Sequence, residues 1–332
     1  MSATAAIARR ATPAHGTGRL RTRGLLSVLD LTPREVQAVL ALARRLKQER
    51  ARGICAPTGR ALAGRHVALL FDKPSLRTRV TFEVAVRELG GEVLTLAPDV
   101  ALGERETVTD VARNLERWVH AVVIRTFAQR TLEEFAAAAP SLAVVNALTD
   151  EEHPCQALAD CLTLQERYDT LADRTIAYVG DGNNVAASLA QAAVMLGVTV
   201  RVASPPGYEL PARVLHDCAV AAQHGARVVQ LVEPLEAVAG ASAVYTDVWT
   251  SMGQESQAAE RRRTFAPYQV TPALMRAAAP GALFMHCLPA HRGEEVSAEV
   301  IDSPAAVVYD QAENRLHVQK ALLLTLLAPS HV

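Results

Sequence analysis

Residues 67–89 read VALLFDKPSLRTRVTFEVAVREL, and their interpretation decides the fold. Val67–Phe71 is a short unbroken apolar run, the pattern of a strand buried on both faces. Pro74 then interrupts, and Phe82, Ala85, Val86 and Leu89 recur at i, i+3, i+4 and i+7, the stripe of an amphipathic helix over Val80–Leu89. Strand, tight polar turn and helix make half of a βαβ unit, so a parallel sheet is expected.

Outward from this unit the same alternation continues. Further strands are expected at Val122–Ile124, Ala143–Asn146, Ile176–Val179, Val198–Val202, Val244–Thr246 and Leu283–Met285. Helices are expected at Pro33–Glu49, Pro154–Tyr168, Ala186–Leu196 and Leu316–Leu327. A chain of 332 residues, at roughly 150 per domain, has room for two cores. The expected fold class is α/β, with two doubly wound parallel-sheet domains joined by helices. Pro154–Tyr168 is placed to bridge the halves, and the last helix, apolar on most positions, is expected to pack back on the first domain.

Composition excludes several function classes. Net charge is -1, so no global field favours nucleic acid or a membrane surface, and an anionic substrate must be attracted locally. No apolar run approaches the roughly 18 residues that span a bilayer. Cys55, Cys155, Cys161, Cys218 and Cys287 are scattered and contain no C-x-x-C pair, which points away from a disulfide framework or zinc site. The first 29 residues lack Asp and Glu but carry Arg9, Arg10, Arg19, Arg21 and Arg23. That bias is shared by mitochondrial transit peptides, but Ala and Arg dominate the whole chain, so a disordered extension over 1–23 is expected. A cytoplasmic location is expected, with the mitochondrial matrix as the alternative.

Five motifs carry chemistry. Ser75-Leu76-Arg77-Thr78-Arg79 opens a helix, whose free N–H groups and dipole suit a phosphate, with hydroxyls and guanidinium forks to complete it. Alone, it reads equally well as a capping Ser with two solvated arginines. His153-Pro154-Cys155-Gln156 places Pro154 in a first helical turn, with His153 at the cap and Gln156 within the turn. Gly180-Asp181-Gly182-Asn183-Asn184 follows a strand and invites a dinucleotide reading. Val185 occupies the third-glycine position, and no ribose-binding acid ends the strand at Val202-Ala203-Ser204. Asp247-Val248-Trp249-Thr250-Ser251-Met252-Gly253 and His286-Cys287-Leu288-Pro289 each follow a short strand, where open α/β sheets bind ligands. Arg125 ends another strand, and Arg315 opens the last helix. Singly, Trp249 and Cys287 suit a core, and the two arginines suit ion pairs.

Together and in this order, S-x-R-T-R, H-P-x-Q, D-x-W-x-S-M-G and H-C-L-P closely resemble the ornithine carbamoyltransferase family, from about Leu25 to Leu327. The first two motifs belong to carbamoyltransferases generally, while the S-M-G loop with H-C-L-P points to ornithine. Leu76 stands where the family often has Thr, and Ala101 stands where many members have a Gln that touches carbamoyl phosphate.

The resemblance implies transfer of a carbamoyl group from carbamoyl phosphate to ornithine, giving citrulline and phosphate, with no metal or organic cofactor. The alternative acceptors are N-acetylornithine and putrescine. It divides the chain into a carbamoyl phosphate domain (24–152), an ornithine domain (153–310) and a C-terminal helix (311–332). It implies that Ser75, Leu76, Arg77, Thr78, Arg125, His153, Gln156 and Arg315 bind carbamoyl phosphate. Asn184, Asp247, Ser251, Met252, Cys287 and Leu288 would bind ornithine. Arg125, His153, Asp247 and Cys287 would act in catalysis. Family members are trimers, so a homotrimer is expected.

Overall fold

A computed structural model describes residues 20–53, 57–96, 106–251, 253 and 255–332. Helix α1 (Pro33–Ala51) precedes β1 (His66–Phe71), α2 (Leu76–Glu88), β2 (Glu92–Thr95), α3 (Val108–Trp118), β3 (Ala121–Arg125), α4 (Gln129–Ala138) and β4 (Ala143–Leu148). Helix α5 (Pro154–Arg167) leads to β5 (Thr175–Val179), α6 (Asn184–Met195), β6 (Thr199–Ala203), α7 (Ala212–Ala221), β7 (Val228–Leu231) and α8 (Pro234–Val238). The chain closes with β8 (Ala243–Tyr245), α9 (Ala258–Phe265), α10 (Pro272–Met275), β9 (Leu283–Met285), α11 (Ala298–Ile301) and α12 (Val308–Leu327).

The strands form two wholly parallel sheets, in the orders β2-β1-β3-β4 and β7-β6-β5-β8-β9. Residue-by-residue alternation explains the layering. In the first sheet Val67, Leu69, Ala121 and Val123 face one core, while Ala68, Leu70, Val122 and Ile124 face the core beneath α3 and α4. In the second, Ile176 and Tyr178 share the first core, and Ala177 and Val179 face another with Trp249, Phe265 and Phe284. Both faces of each sheet are covered, which is why the strands read as continuous apolar runs. One core runs unbroken through both halves, carried by α5 and α12, and α12 packs on α1, α2 and α5. The expected architecture and the returning last helix are both present.

Helix starts follow capping chemistry. Thr32 and Glu35 make a reciprocal capping box before Pro33, and the Ser75 hydroxyl accepts the Thr78 N–H at 3.3 Å. Helix α2 therefore begins at Leu76 rather than Val80. Edge strands β2 and β7 were not anticipated, because their partly exposed side chains lack the apolar run. The last helix starts at Val308 rather than Leu316, so Arg315 lies within it and does not open it. Its early turns bury Gln311, Asn314 and Arg315, polar groups that erase the helical apolar stripe. Residues 1–19, Cys55 and Ala101 lie outside the described residues.

Candidate active site

The expected motifs stand at the carboxyl ends of β1, β3, β4, β5, β8 and β9, on facing edges of the two sheets. In the first half, Ser75 caps α2, leaving Leu76 exposed, Arg77 half-buried and Thr78 buried. The Arg315 guanidinium, arriving from α12, donates to the Thr78 hydroxyl. Arg125 ends β3 and is only 6% exposed, yet its Nε has no partner within the protein. Burial first, then Arg315 and Arg77, push its pKa down to about 10. Burial also lowers the pKa of Arg315.

His153 caps α5 through its backbone and makes no side-chain cap bond. Its N–H donates to Ser188 Oγ at 2.8 Å, the Ser188 hydroxyl donates to Glu152, and Ser27 donates to the same carboxylate at 2.9 Å. That chain anchors the His153 backbone, while the ring Nδ1 is buried and unpartnered. Burial, Arg315 and Arg125 hold its pKa well below the usual histidine range, so the ring is neutral at physiological pH. Gln156, one turn on, donates its Nε2 to Asp160 at 2.7 Å and leaves Oε1 buried without a partner. Nε of Arg315 is likewise unpartnered. These atoms stand together at one site, three nitrogens and one acceptor oxygen available to a polar ligand.

In the second half, Asn183 meets Asp247. Its Oδ1 caps α6 by accepting from the Val185 and Ala186 amides and from the Tyr178 hydroxyl, so Nδ2 must face Asp247 Oδ2, at 2.9 Å. Asn184 donates to the Thr149 carbonyl, crossing to the first half. The Cys287 thiol donates to Asp247 Oδ1 at 3.0 Å. Burial and the Asp247 carboxylate raise its pKa well above the usual thiol range, so it stays protonated.

His286 cannot activate that thiol. Its Nδ1 accepts the Leu288 N–H at 2.9 Å, which leaves the proton on Nε2, donated to the buried Glu295 at 3.2 Å. Leu288 turns at φ +59° beside it. The polar atoms of Asp247, His286 and Cys287 lie within 4.8 Å of one another, a spacing a metal could bridge, but all three are engaged in hydrogen bonds.

The loop after β8 is anchored by Arg261, which donates to the Trp249 carbonyl and to Asp181. Ser251 lies on this loop, half-buried, and Gly253 faces Phe127 of the first half. Met252 lies outside the described residues. In the β5–α6 turn, the Gly182 amide, which a pyrophosphate would need, donates to the Tyr208 carbonyl at 2.8 Å. Sequence reasoning missed Asp160, Gln311, Arg261 and Lys73, and gave Asn183 no role of its own within its motif. Lys73 pairs with Asp150 and sits 4.1 Å over the Phe127 ring. The Asn183 cap position before an apolar helix was a readable signal.

Buried cations at the strand ends of one sheet, with a carboxylate at the strand ends of the other, suit an anionic ligand beside a cationic one, the arrangement of an enzyme that passes a group from an anionic donor to a cationic acceptor. The chain belongs to the aspartate/ornithine carbamoyltransferase family: the family's carbamoyl-P binding domain matches residues 23–166, and its Asp/Orn binding domain matches 172–326. It is 50% identical over 311 residues to the ornithine carbamoyltransferase of Symbiobacterium thermophilum, covering 93% of this chain and 99% of that one. It is 49% identical to that of Geobacillus stearothermophilus, over 93% and 98% of the two chains. The solved structure of ornithine carbamoyltransferase from Pyrococcus furiosus superposes with a TM-score of 0.89 at 47% identity, covering 93% of this chain and 98% of that one.

Proposed function

We propose that this protein transfers the carbamoyl group of carbamoyl phosphate to the side-chain amine of L-ornithine, giving L-citrulline and phosphate. The observation that carries the reading is the set of buried, unpartnered atoms Arg125 Nε, His153 Nδ1, Gln156 Oε1 and Arg315 Nε. The same site holds an Asp247–Cys287 pair on the opposite sheet. Such a set fits a small polar donor on one side and an ammonium group on the other. Relatives about half identical over nearly the full chain are ornithine carbamoyltransferases, which favours ornithine over N-acetylornithine or putrescine.

In this reading the chain divides at about 24–152, 153–310 and 311–332. The α2 start (Ser75, Leu76, Arg77, Thr78) holds the phosphate, with Arg315 reaching the same ligand. Arg125 and His153 face the carbamoyl oxygen, where negative charge grows in the tetrahedral transition state. Gln156 accepts from the carbamoyl NH2. Asn184, Asp247, Ser251 and Met252 hold the amino-acid end of ornithine, and Cys287 and Leu288 line the path of its side-chain amine. An amine of this kind has a pKa of about 10.4, so the buried site must favour its neutral form before attack. A protonated Cys287 that already donates to Asp247 suits a positioning role, and direct transfer to the amine needs no covalent intermediate. The phosphate leaves with the electron pair of the broken carbon–oxygen bond, and the amine's proton passes to solvent or phosphate.

We further assign a cytoplasmic enzyme in arginine metabolism, acting as a homotrimer. Among the described residues no helix is long and apolar enough to cross a membrane. The test is product formation from carbamoyl phosphate with each of ornithine, N-acetylornithine and putrescine. Citrulline should dominate, and faster turnover of either other amine would reassign the acceptor.

A further inference from the structure

Asp160 lies one turn beyond Gln156 on α5, fully buried, with three donors converging on it. Gln156 Nε2 and Gln311 Nε2 both donate to its Oδ1 at 2.7 Å, and the Tyr245 hydroxyl donates to its Oδ2 at 3.1 Å. Gln311 is itself held. Its Nε2 also reaches the Tyr245 oxygen at 3.0 Å, and its Oε1 accepts the backbone N–H of His286 at 3.1 Å. Helix α5, helix α12 and strand β8 thus each direct a donor at the carboxylate, and the turn after β9 holds one of them, Gln311, in place.

A glutamine amide has two nearly isosteric ends, one that donates and one that accepts. A carboxylate can take only the NH2 end, so Asp160 decides which end faces the site, and Oε1 is the end left buried and unpartnered. We propose that Asp160 is a specificity-determining positioning residue: by holding the Gln156 amide in one sense, it makes the site select a carbamoyl NH2 over the methyl group of an isosteric acetyl phosphate. A methyl group against Oε1 would leave that buried acceptor unmet, and a flipped amide would set donor against donor. Burial raises the Asp160 pKa to about 7, so the carboxylate form prevails at pH 8. The inference rests on the reading that Gln156 meets the carbamoyl amide.

Two uncharged-acyl phosphonates separate the effects: phosphonacetamide, which carries the NH2, and acetonylphosphonate, its methyl counterpart with the same charge. Calorimetry at pH 8 should show the wild type preferring the amide by roughly tenfold, the scale of one buried hydrogen bond with its desolvation. In Asp160→Leu the Gln156 amide is free to turn, and the preference should fall to within about twofold. General damage to the pocket would weaken both ligands together, and an unchanged ratio in this variant overturns the proposal. Should Asp160→Leu not fold, neutron diffraction of the wild type with phosphonacetamide reads the same point directly. Deuterium on Gln156 Nε2 pointing at Asp160 supports the proposal, and deuterium pointing at the ligand overturns it. If the wild type binds neither phosphonate, the carbamoyl phosphate reading itself fails.

Discussion

Replacing Arg125 by Met should make the free enzyme more stable and far slower. Arg125 is 6% exposed at the end of β3 and shares its surroundings with Arg315 and Arg77. The fall of its pKa from the ordinary 12.5 to about 10 corresponds, at about 1.4 kcal/mol per pH unit, to about 3 kcal/mol against the charged form. The sign follows from linkage. At pH 8 the group is charged in both folded and unfolded chains, so the whole penalty is present, and it fades only as pH climbs from about 10 toward 12.5. Methionine keeps most of the length and none of the charge. After lost packing is deducted, a gain on the order of 1–2 kcal/mol should remain, seen as a Tm a few degrees higher. Turnover should fall by about 10²–10³, or about 2.7–4 kcal/mol, because one oxyanion donor is gone. The assay is kcat at saturating substrates alongside a thermal melt at pH 8. A lower Tm together with turnover within threefold of wild type would refute the reasoning.

Other consequences follow from the same geometry. Cys287→Ser changes the size and polarity of the group beside the amine, so it should weaken ornithine binding and lower activity, but it keeps a donor to Asp247, so measurable citrulline synthesis with sequential initial-rate patterns should remain; a carbamoylated protein detected by mass spectrometry would contradict this. Arg77→Ala should raise the KM for carbamoyl phosphate as well as lower kcat, since a phosphate contact acts in ground and transition states alike; an unchanged KM would remove Arg77 from the phosphate site. Carbamoyl phosphate should bind before ornithine, because Gly253 on the loop after β8 meets Phe127 of the first half; tight binding of ornithine to the free enzyme in calorimetry would speak against that order. Putrescine lacks the α-carboxylate and should turn over far more slowly than ornithine, which comparison of kcat/KM decides.

What sequence disclosed and what it hid have physical causes. Strands buried on both faces announce themselves as apolar runs, and the motifs at their ends are local, so the sheets and residues such as Arg125, His153, Asp247 and Cys287 were legible. Edge strands β2 and β7 lack that pattern because half their surface meets solvent. The polar network behind the site is invisible for another reason: Gln311 joins Asp160 across 151 residues of chain, a pairing no spacing rule encodes. Asp160 did leave a local trace, an acid within the apolar stretch ALADCL (157–162), where an unpaired charge would be costly. Within the Gly180–Asn184 motif, capping geometry turns Asn183 toward Asp247 and sends Asn184 to the Thr149 carbonyl, partners that lie 64 and 35 residues away in the chain.

The central claim is that two half-sites on facing sheets converge on one transfer reaction. It is tested most directly by a crystal structure with a bisubstrate analogue, a phosphonacetyl group joined to the side-chain nitrogen of L-ornithine. The expected complex has the phosphonate at Ser75–Thr78, the carbonyl oxygen within hydrogen-bond distance of Arg125 and His153, and the amino-acid end beside Asp247. An analogue bound with its carbonyl away from Arg125 and His153, or with its amino-acid end outside the Asp247 pocket, would contradict it.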